Sequence, residues 1–146
     1  MEIREAQPGD LEQVYGLIAE LERCLPDQEA FAAVYNRNLG RDDVCYGVAV
    51  EEGCAVGFIS LHIQELLHHN GSIGEIQELI VTGECQGAGT GRSLMDWACS
   101  RAEQRGCLQL EVCCNRARPE SHSFYERMGL DRSHFKFCKK LGQKVE

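Results

Sequence analysis

The chain has no apolar run near the ~20 residues that a membrane-crossing helix needs, and its start, MEIREAQPGD, lacks the basic then apolar pattern of a secretory leader. Basic residues are also scarce: 15 Lys and Arg against 23 Asp and Glu leave a formal net charge of −8, with no basic tract. Nucleic acid and anionic membrane are disfavoured as partners, since basic side chains must supply the neutralising contacts on both. A cytoplasmic location is expected. Nine cysteines are present, yet none forms a CxxC pair, the count is odd, and Cys113 and Cys114 are neighbours in an apparent strand. That pattern fits neither a disulfide framework nor a zinc knuckle, and reads as small buried hydrophobes in a reducing compartment. Cys85 stands apart because it falls in a glycine-rich loop, where N–H dipoles can lower a thiol pKa. A catalytic thiol is still not expected there.

At 146 residues, 43% hydrophobic and 26% charged, the chain fits one compact domain spanning 1–146. A domain of that size buries about 70% of the surface its unfolded form exposes. No repeat, low-complexity run or linker interrupts it. Ile3 opens a short strand. Pro8 and Asp10 prepare a helix whose apolar residues Leu11, Val14, Ile18, Leu21 and Leu25 follow a helical period until Pro26. Asp27 can cap a second helix carrying Phe31, Val34 and Tyr35, with Gly40 past its end. Strands Val44 to Val50 and Ala55 to Gln64 follow, joined at Glu52-Gly53, a pair suited to a tight hairpin. A polar turn holding His68, His69, Asn70 and Gly71 leads into a strand from Ile73 to Val81.

After a glycine loop, a helix from about Thr90 to Arg105 turns Leu94, Met95, Ala98 and Ala102 inward, with Gly106 at its end. Leu108 to Cys114 alternates as a strand with one better buried face. Pro119 starts a helix in which Ser121, Phe124, Tyr125 and Met128 share a face until Gly129. A last strand is expected around His134 to Leu141. The order β-α-α-β-β-β-α-β-α-β mixes hairpin-linked strands with crossover helices, which implies an α/β (α+β) domain with a mixed sheet.

The stretch Glu78 to Arg92, ELIVTGECQGAGTGR, carries the strongest functional signal. A strand runs into a glycine-rich turn and then directly into a helix, gathering backbone N–H groups and the positive end of a helix dipole around one point, which suits phosphate or pyrophosphate. A dinucleotide fingerprint needs GxGxxG, but the spacing here is GxGxG, and Arg92 stands where the third glycine belongs. A Walker loop needs Lys followed by Ser or Thr after its last glycine, and Arg92 stands where that Lys belongs. A ligand-free turn would not need three alternating glycines, which cost chain entropy.

The pattern Q-x-x-G-x-G after a strand ending in an aliphatic residue resembles the acetyl-CoA motif of the GCN5-related N-acetyltransferase (GNAT) superfamily. The order of elements and the segment SFYERMGL (Ser123 to Leu130) are similar too, and together these cover nearly the whole chain. Within the superfamily, LHIQELLHHNGSIGEIQELIV (Leu61 to Val81) and SHFKF (Ser133 to Phe137) resemble bacterial aminoalkylphosphonate N-acetyltransferases. The resemblance implies a mostly antiparallel central sheet flanked by helices. It also implies direct acetyl transfer from acetyl-CoA, as co-substrate, to a primary amine of a small molecule, by an enzyme acting as a homodimer. Transfer to a peptide or protein amine, towards which the acidic charge would draw a cationic acceptor, and a non-catalytic acyl-CoA-binding module are the rival readings.

On that resemblance the backbone N–H groups of Gln86, Gly87, Ala88, Gly89, Thr90 and Gly91 bind the pyrophosphate, and Arg92 adds a cation. Leu79, Ile80 and Val81 make strand-like contacts with the pantetheine arm and acetyl carbonyl, and Asn115 bonds the cofactor arm. Tyr125 protonates the departing thiolate, a task suited to a phenol with an ordinary pKa of about 10. Its plainer reading is core packing beside Phe124 and Met128.

Only a neutral amine attacks the thioester, and deprotonating an alkylamine at pH 7 costs about 4 kcal/mol, so a base is useful. Glu75 matches the base position of histone-modifying members, while Glu78 sits closer to the thioester. Three residues apart, they fall on opposite strand faces unless a bulge intervenes. His62, His68, His69 and His134 invite a divalent-metal reading without a clear ligand motif, since adjacent His68 and His69 diverge if extended. Surface or acceptor-pocket histidines are the simpler reading. Arg37, Arg41, His69 and Arg118 are candidate partners for a phosphonate.

Overall fold

The computed structural model describes residues 1–114 and 119–142, so Asn115 and Arg118 lie outside the described residues. Two compact units divide the chain, Met1–Val112 and Cys113–Glu146.

The first unit is a five-stranded sheet with helices on both faces. Strands β1 (Glu2–Glu5), β2 (Val44–Glu51), β3 (Cys54–Leu66), β4 (Gly71–Val81) and β5 (Gln109–Val112) lie side by side in chain order. All neighbours are antiparallel except β4 and β5, which run parallel, so the mixed and mostly antiparallel sheet is as expected. Helices α1 (Leu11–Glu22) and α2 (Gln28–Leu39) precede β2, and α3 (Thr90–Gln104) crosses over from β4 to β5.

Local chemistry explains most boundaries. Asp27 caps α2, its carboxylate accepting from the Ala30 N–H at 2.9 Å. Glu52 and Gly53 both take positive φ, 50° and 79°, the conformation of a type I′ hairpin turn. Helix α3 ends in a Schellman arrangement at Gly106 (φ 76°), where the Cys107 N–H reaches the Ala102 carbonyl at 2.9 Å. Helix α1 stops earlier than its apolar period suggested. Arg23 turns left-handed at φ 58°, and Leu25, before Pro26, is 80% exposed rather than part of the helix face. Val34 is likewise exposed, leaving Tyr35 as the buried anchor of α2.

One face of the sheet receives α1 and α2. Val14, Leu17, Tyr35, Val48 and Phe58 form its core, with Phe31, Tyr46 and Ile80 packed against them. A continuous file of rings runs through it: Tyr15 meets Phe31 edge-on at 5.1 Å, Phe31 stacks on Tyr35, Tyr35 on Tyr46, and Tyr46 meets Phe58 at 5.2 Å. Such pairs add about 1 kcal/mol each beyond the area they bury. The other face receives α3 through Leu94, Met95, Ala98 and Ala102. Gly47 makes room there, since a Cβ would lie 2.6 Å from the Trp97 ring.

The second unit contains α4 (Pro119–Arg127). It closes as a Schellman motif at Gly129, with Leu130 N–H donating to the Tyr125 carbonyl and Gly129 N–H to Glu126. Residues 131–142 form no strand, so the expected strand from His134 to Leu141 is not made. Its alternation is real, but among the described residues it takes no strand conformation, and Phe135, Phe137 and Leu141 are exposed. The Ser133 hydroxyl and His134 Nδ1 instead make a local contact at 2.6 Å.

A part-buried ion pair anchors the entry to α1. Arg4 grips both Asp10 oxygens at 2.8 and 3.0 Å, and the Gln7 N–H donates to the same carboxylate at 2.7 Å. Chiefly the Arg4 hydrogen bonds, helped by the Gln7 N–H, hold the Asp10 carboxyl below its ordinary pKa despite its burial. A folded-state value below the unfolded one contributes stability above the ordinary carboxylate range, and that contribution is lost as pH falls through the depressed value. Asp10→Asn is therefore expected to destabilise the protein by about 2 kcal/mol at neutral pH, with the gap from wild type closing in acid, as read by denaturant unfolding at both ends.

Candidate active site

The register of β3 against β4 contains one irregularity that decides the site. Ser60 pairs with Glu78 but the next residue, Leu61, pairs with Ile76, so Gln77 is an extra, exposed residue on β4. Beyond that bulge His62 pairs with Glu75 and Ile63 with Gly74. A bulge shifts the side-chain alternation by one. Glu78, partnered by Ser60 and in line with Ile80 and Tyr46, therefore faces the α1/α2 side, and so does Glu75, while Ile76 and Gly74 turn to α3. The two candidate bases share one face, contrary to what an unbroken strand would dictate.

Further groups line the same face. Glu75 stands beside Glu111 of β5 in the parallel register, and Glu111 lies 3.8 Å from His69 Nε2. Tyr46 sits opposite Ser60, its hydroxyl accepting from Asn38 Nδ2 at 2.7 Å. Burial pushes the Tyr46 phenol up, the Asn38 hydrogen bond offsets part of this, and the Glu78 charge adds to the rise. Tyr46 is thus neutral at physiological pH. The Ser60 hydroxyl, fully buried, bonds the Glu78 carboxylate and accepts the Glu78 N–H at 2.9 Å.

Further along β4 the strand loses one of its two neighbours. The β4–β5 ladder ends at Ile76↔Val112, while β4 continues to Val81 paired with β3 alone. Among the described residues, the other edge of β4 over Leu79, Ile80 and Val81 has no strand beside it. Gln86 Nε2 donates to the Val81 carbonyl at 3.1 Å and ties the glycine loop to that strand end. From α1, Glu20 accepts the Gly83 N–H at 3.2 Å.

The loop then delivers α3. Gly87 and Gly89 adopt φ of 86° and 85°, which L side chains rarely take, and nothing lies within 4 Å of where a Cβ would stand. Gly89 is the N-cap of α3 and offers no side-chain cap, and the first turn carries no acidic residue. The first N–H groups of a fifteen-residue helix therefore point outward uncapped, with Arg92 exposed beside them. Thr90 contributes backbone only, because its side chain is buried and its hydroxyl contacts Met1 Sδ at 3.4 Å. Uncapped donors, open glycines and a cation fit a pyrophosphate. Cys85 is half-buried in the short 3-10 turn Gly83–Cys85 that precedes them.

His68 and His69 belong to a 3-10 turn, Leu67–His69, so they are not extended, and their rings lie 4.3 Å apart. Among the described residues no group of three His, Cys, Asp or Glu is arranged to hold a metal ion. Arg41 is engaged with Asp43 at 2.8 Å, and Arg37 is exposed in the last turn of α2. Tyr125 lies in α4, half-buried, its ring edge-on to Phe124 at 5.3 Å. Ser60, Tyr46 and Asn38 are the participants that motif reading misses. A serine inside the apolar run Gly57 to Leu61 is the one signal that could have exposed Ser60.

A model of the acetyltransferase (GNAT) family matches residues 11–130. The chain belongs to that family. It is 42% identical over 140 residues to an aminoalkylphosphonate N-acetyltransferase of Salmonella typhimurium, covering 96% of this chain and 91% of the relative. A transcriptional regulator from Bacillus halodurans superposes with a TM-score of 0.89 at 25% identity over 96% of this chain and 99% of its own. An aminoglycoside N-acetyltransferase in complex with CoA shares the fold, with a TM-score of 0.86 at 19% identity, covering 96% of this chain and 94% of that one. GNAT proteins use acetyl-CoA, and this chain is an N-acetyltransferase of the GNAT type. No helix among the described residues is long and apolar enough to cross a membrane.

For this GNAT chain, Gly89→Ala places a Cβ at the mouth of the α3 N-terminus in a backbone conformation alanine resists. The expected result is an acetyl-CoA KM raised about tenfold, kcat within about twofold, and a stability loss near 1 kcal/mol, from steady-state kinetics and thermal unfolding.

Proposed function

We propose that the enzyme transfers acetyl directly from acetyl-CoA to the primary amine of a small molecule, an aminoalkylphosphonate, within a ternary complex. The observation that carries the chemistry is the bulge at Gln77, which aims Glu75 and Glu78 at the same side of β4, just before the edge that leads to the uncapped helix. The acceptor class is supported by the 42% identical relative, itself an aminoalkylphosphonate N-acetyltransferase.

In this reading Gln86, Gly87, Ala88, Gly89, Thr90 and Gly91 hold the pyrophosphate through backbone N–H groups, and Arg92 adds charge. Leu79, Ile80 and Val81 present a strand edge to the pantetheine arm and to the thioester carbonyl, whose oxygen gains negative charge as the amine adds. We assign Glu78 as the base, because its carboxylate is already oriented by Ser60 and it lies nearer the edge residues than Glu75 does. It removes one proton as the amine nitrogen attacks the thioester carbon. The C–S bond then breaks, and Tyr125 keeps the role that the family resemblance gives it, protonating the CoA thiolate. Asn115 keeps its assignment to the cofactor arm on the same ground.

Glu75 and Glu111 make the face acidic, which suits the ammonium end of an acceptor before it loses its proton. The phosphonate end needs cations. Among the described candidates Arg37 is the better one, since Arg41 is paired with Asp43 and His69 lies against Glu111; Arg118 lies outside the described residues. The acidic face also favours a second reading, acetylation of a cationic peptide amine. The same reading takes residues 1–146 as one acetyltransferase domain, acting in the cytoplasm as a homodimer.

Thiol release from acetyl-CoA across a panel of aminoalkylphosphonates, other small amines and basic peptides, with and without EDTA, tests the assignment. Turnover is expected with aminoalkylphosphonates above the rest. Faster turnover of peptides would favour the second reading, and no release with any amine would leave only an acyl-CoA-binding module. Tyr125→Phe is expected to lower kcat by about 100-fold with acetyl-CoA affinity little changed, and unaltered turnover would remove Tyr125 from the mechanism.

A further inference from the structure

Ser60 is fully buried in the apolar centre of β3, where a hydroxyl costs free energy unless its hydrogen bonds are made. Both of its hydrogen bonds run to a single residue. The Glu78 N–H donates to Ser60 Oγ at 2.9 Å, and because an amide can only donate, the hydroxyl must be the acceptor in that contact. Its one hydrogen is then left for the Glu78 carboxylate, and it points to Oε1. Alanine or valine would fill this position in the strand without any polar atom to satisfy. The bulge makes the geometry available, since it sets Glu78 directly opposite Ser60 rather than one residue out of phase.

We propose that Ser60 is a positioning residue for the acetyl-transfer reaction: it locks the Glu78 carboxylate through Oε1 and leaves Oε2 as the oxygen that takes the amine proton. The inference rests on the assignment of Glu78 as the base. A carboxylate held at one oxygen by a buried donor and tethered through its own N–H loses the rotamer freedom an exposed glutamate keeps, and the proton is transferred along one direction. The step balances without another reactant: one ammonium proton goes to Oε2 and frees the nitrogen lone pair, which forms the C–N bond as the carbonyl π pair moves to oxygen. The carbonyl then re-forms as the C–S bond breaks, and Tyr125 protonates the CoA thiolate while the nitrogen gives up its second proton in return.

A double-mutant cycle on the full chain, using the amine turned over fastest in the thiol-release assay, tests this. Ser60→Ala is expected to lower kcat at least about tenfold while the acetyl-CoA KM stays within about twofold. Ser60→Cys keeps the volume but donates weakly, so it should fall in the same direction, and it serves if the alanine variant does not fold. In a Glu78→Gln background, Ser60→Ala should change the residual kcat by less than about twofold, because no base remains to be aimed. Equal losses from Ser60→Ala in both backgrounds, or wild-type kcat in the Ser60 variants, would overturn the positioning role and leave Glu78 as the base. Wild-type kcat in Glu78→Gln would overturn the base assignment and the Ser60 role together.

Discussion

One extra residue in β4 sets the geometry on which the rest of this site depends. Side chains on a strand alternate, so Glu75 and Glu78 would diverge to opposite faces of the sheet if the β3–β4 ladder were regular. Gln77 breaks the alternation between the pairs Ser60↔Glu78 and Leu61↔Ile76. The core benefits from the same break. Leu61 and Ile76 stay buried on the α3 side, while Phe58 and Ile80 stay against α1 and α2, so neither face gives up apolar packing to bring the carboxylates together. A bulge costs local ladder regularity, and here it aligns two acids without sacrificing the core.

Around that point the molecule divides its tasks between side chains and backbone. The face towards α1 and α2 carries the acids. Its aromatic file from Tyr15 to Phe58 brings a neutral, Asn38-bonded Tyr46 next to the acids, and Ser60 engages Glu78 from within the sheet. The end of β4 and the start of α3 present main-chain groups instead. There the strand edge past Ile76, the glycines at positive φ and the uncapped helix turn present donors with no side chain in the way. Gln86 and Glu20 tie the loop to β4 and α1, so the glycine loop is held relative to the acid-bearing strand.

What could be read from the chain follows the range of the interactions involved. The Glu52-Gly53 hairpin, the Asp27 cap, the Gly106 and Gly129 helix ends and the glycine loop are decided within a few residues, so residue type suffices. Leu25 and Val34 fit the helical period but are exposed, because the helix stops at Arg23 in one case and the core lies to the other side in the other. The segment from His134 to Leu141 alternates like a strand, yet a strand exists only where an edge accepts it. His68 and His69 fall in the polar turn expected between β3 and β4, which takes 3-10 form. Ser60 could not be connected with Glu78 at all, since eighteen residues separate them and their contact exists only in the paired sheet.

The amino-acid sequence by itself determined the kind of protein. Spacing eliminated the dinucleotide and Walker readings, the loop and the Tyr125 helix matched an acetyltransferase pattern, and the alternation of elements implied the mixed sheet. Such features are local or periodic, and a linear chain records them directly. Tertiary structure decided which faces the acids share and which hydroxyl engages Glu78. Both depend on the register between β3 and β4, and register is set by the packing of two buried faces rather than by the residues of either strand alone.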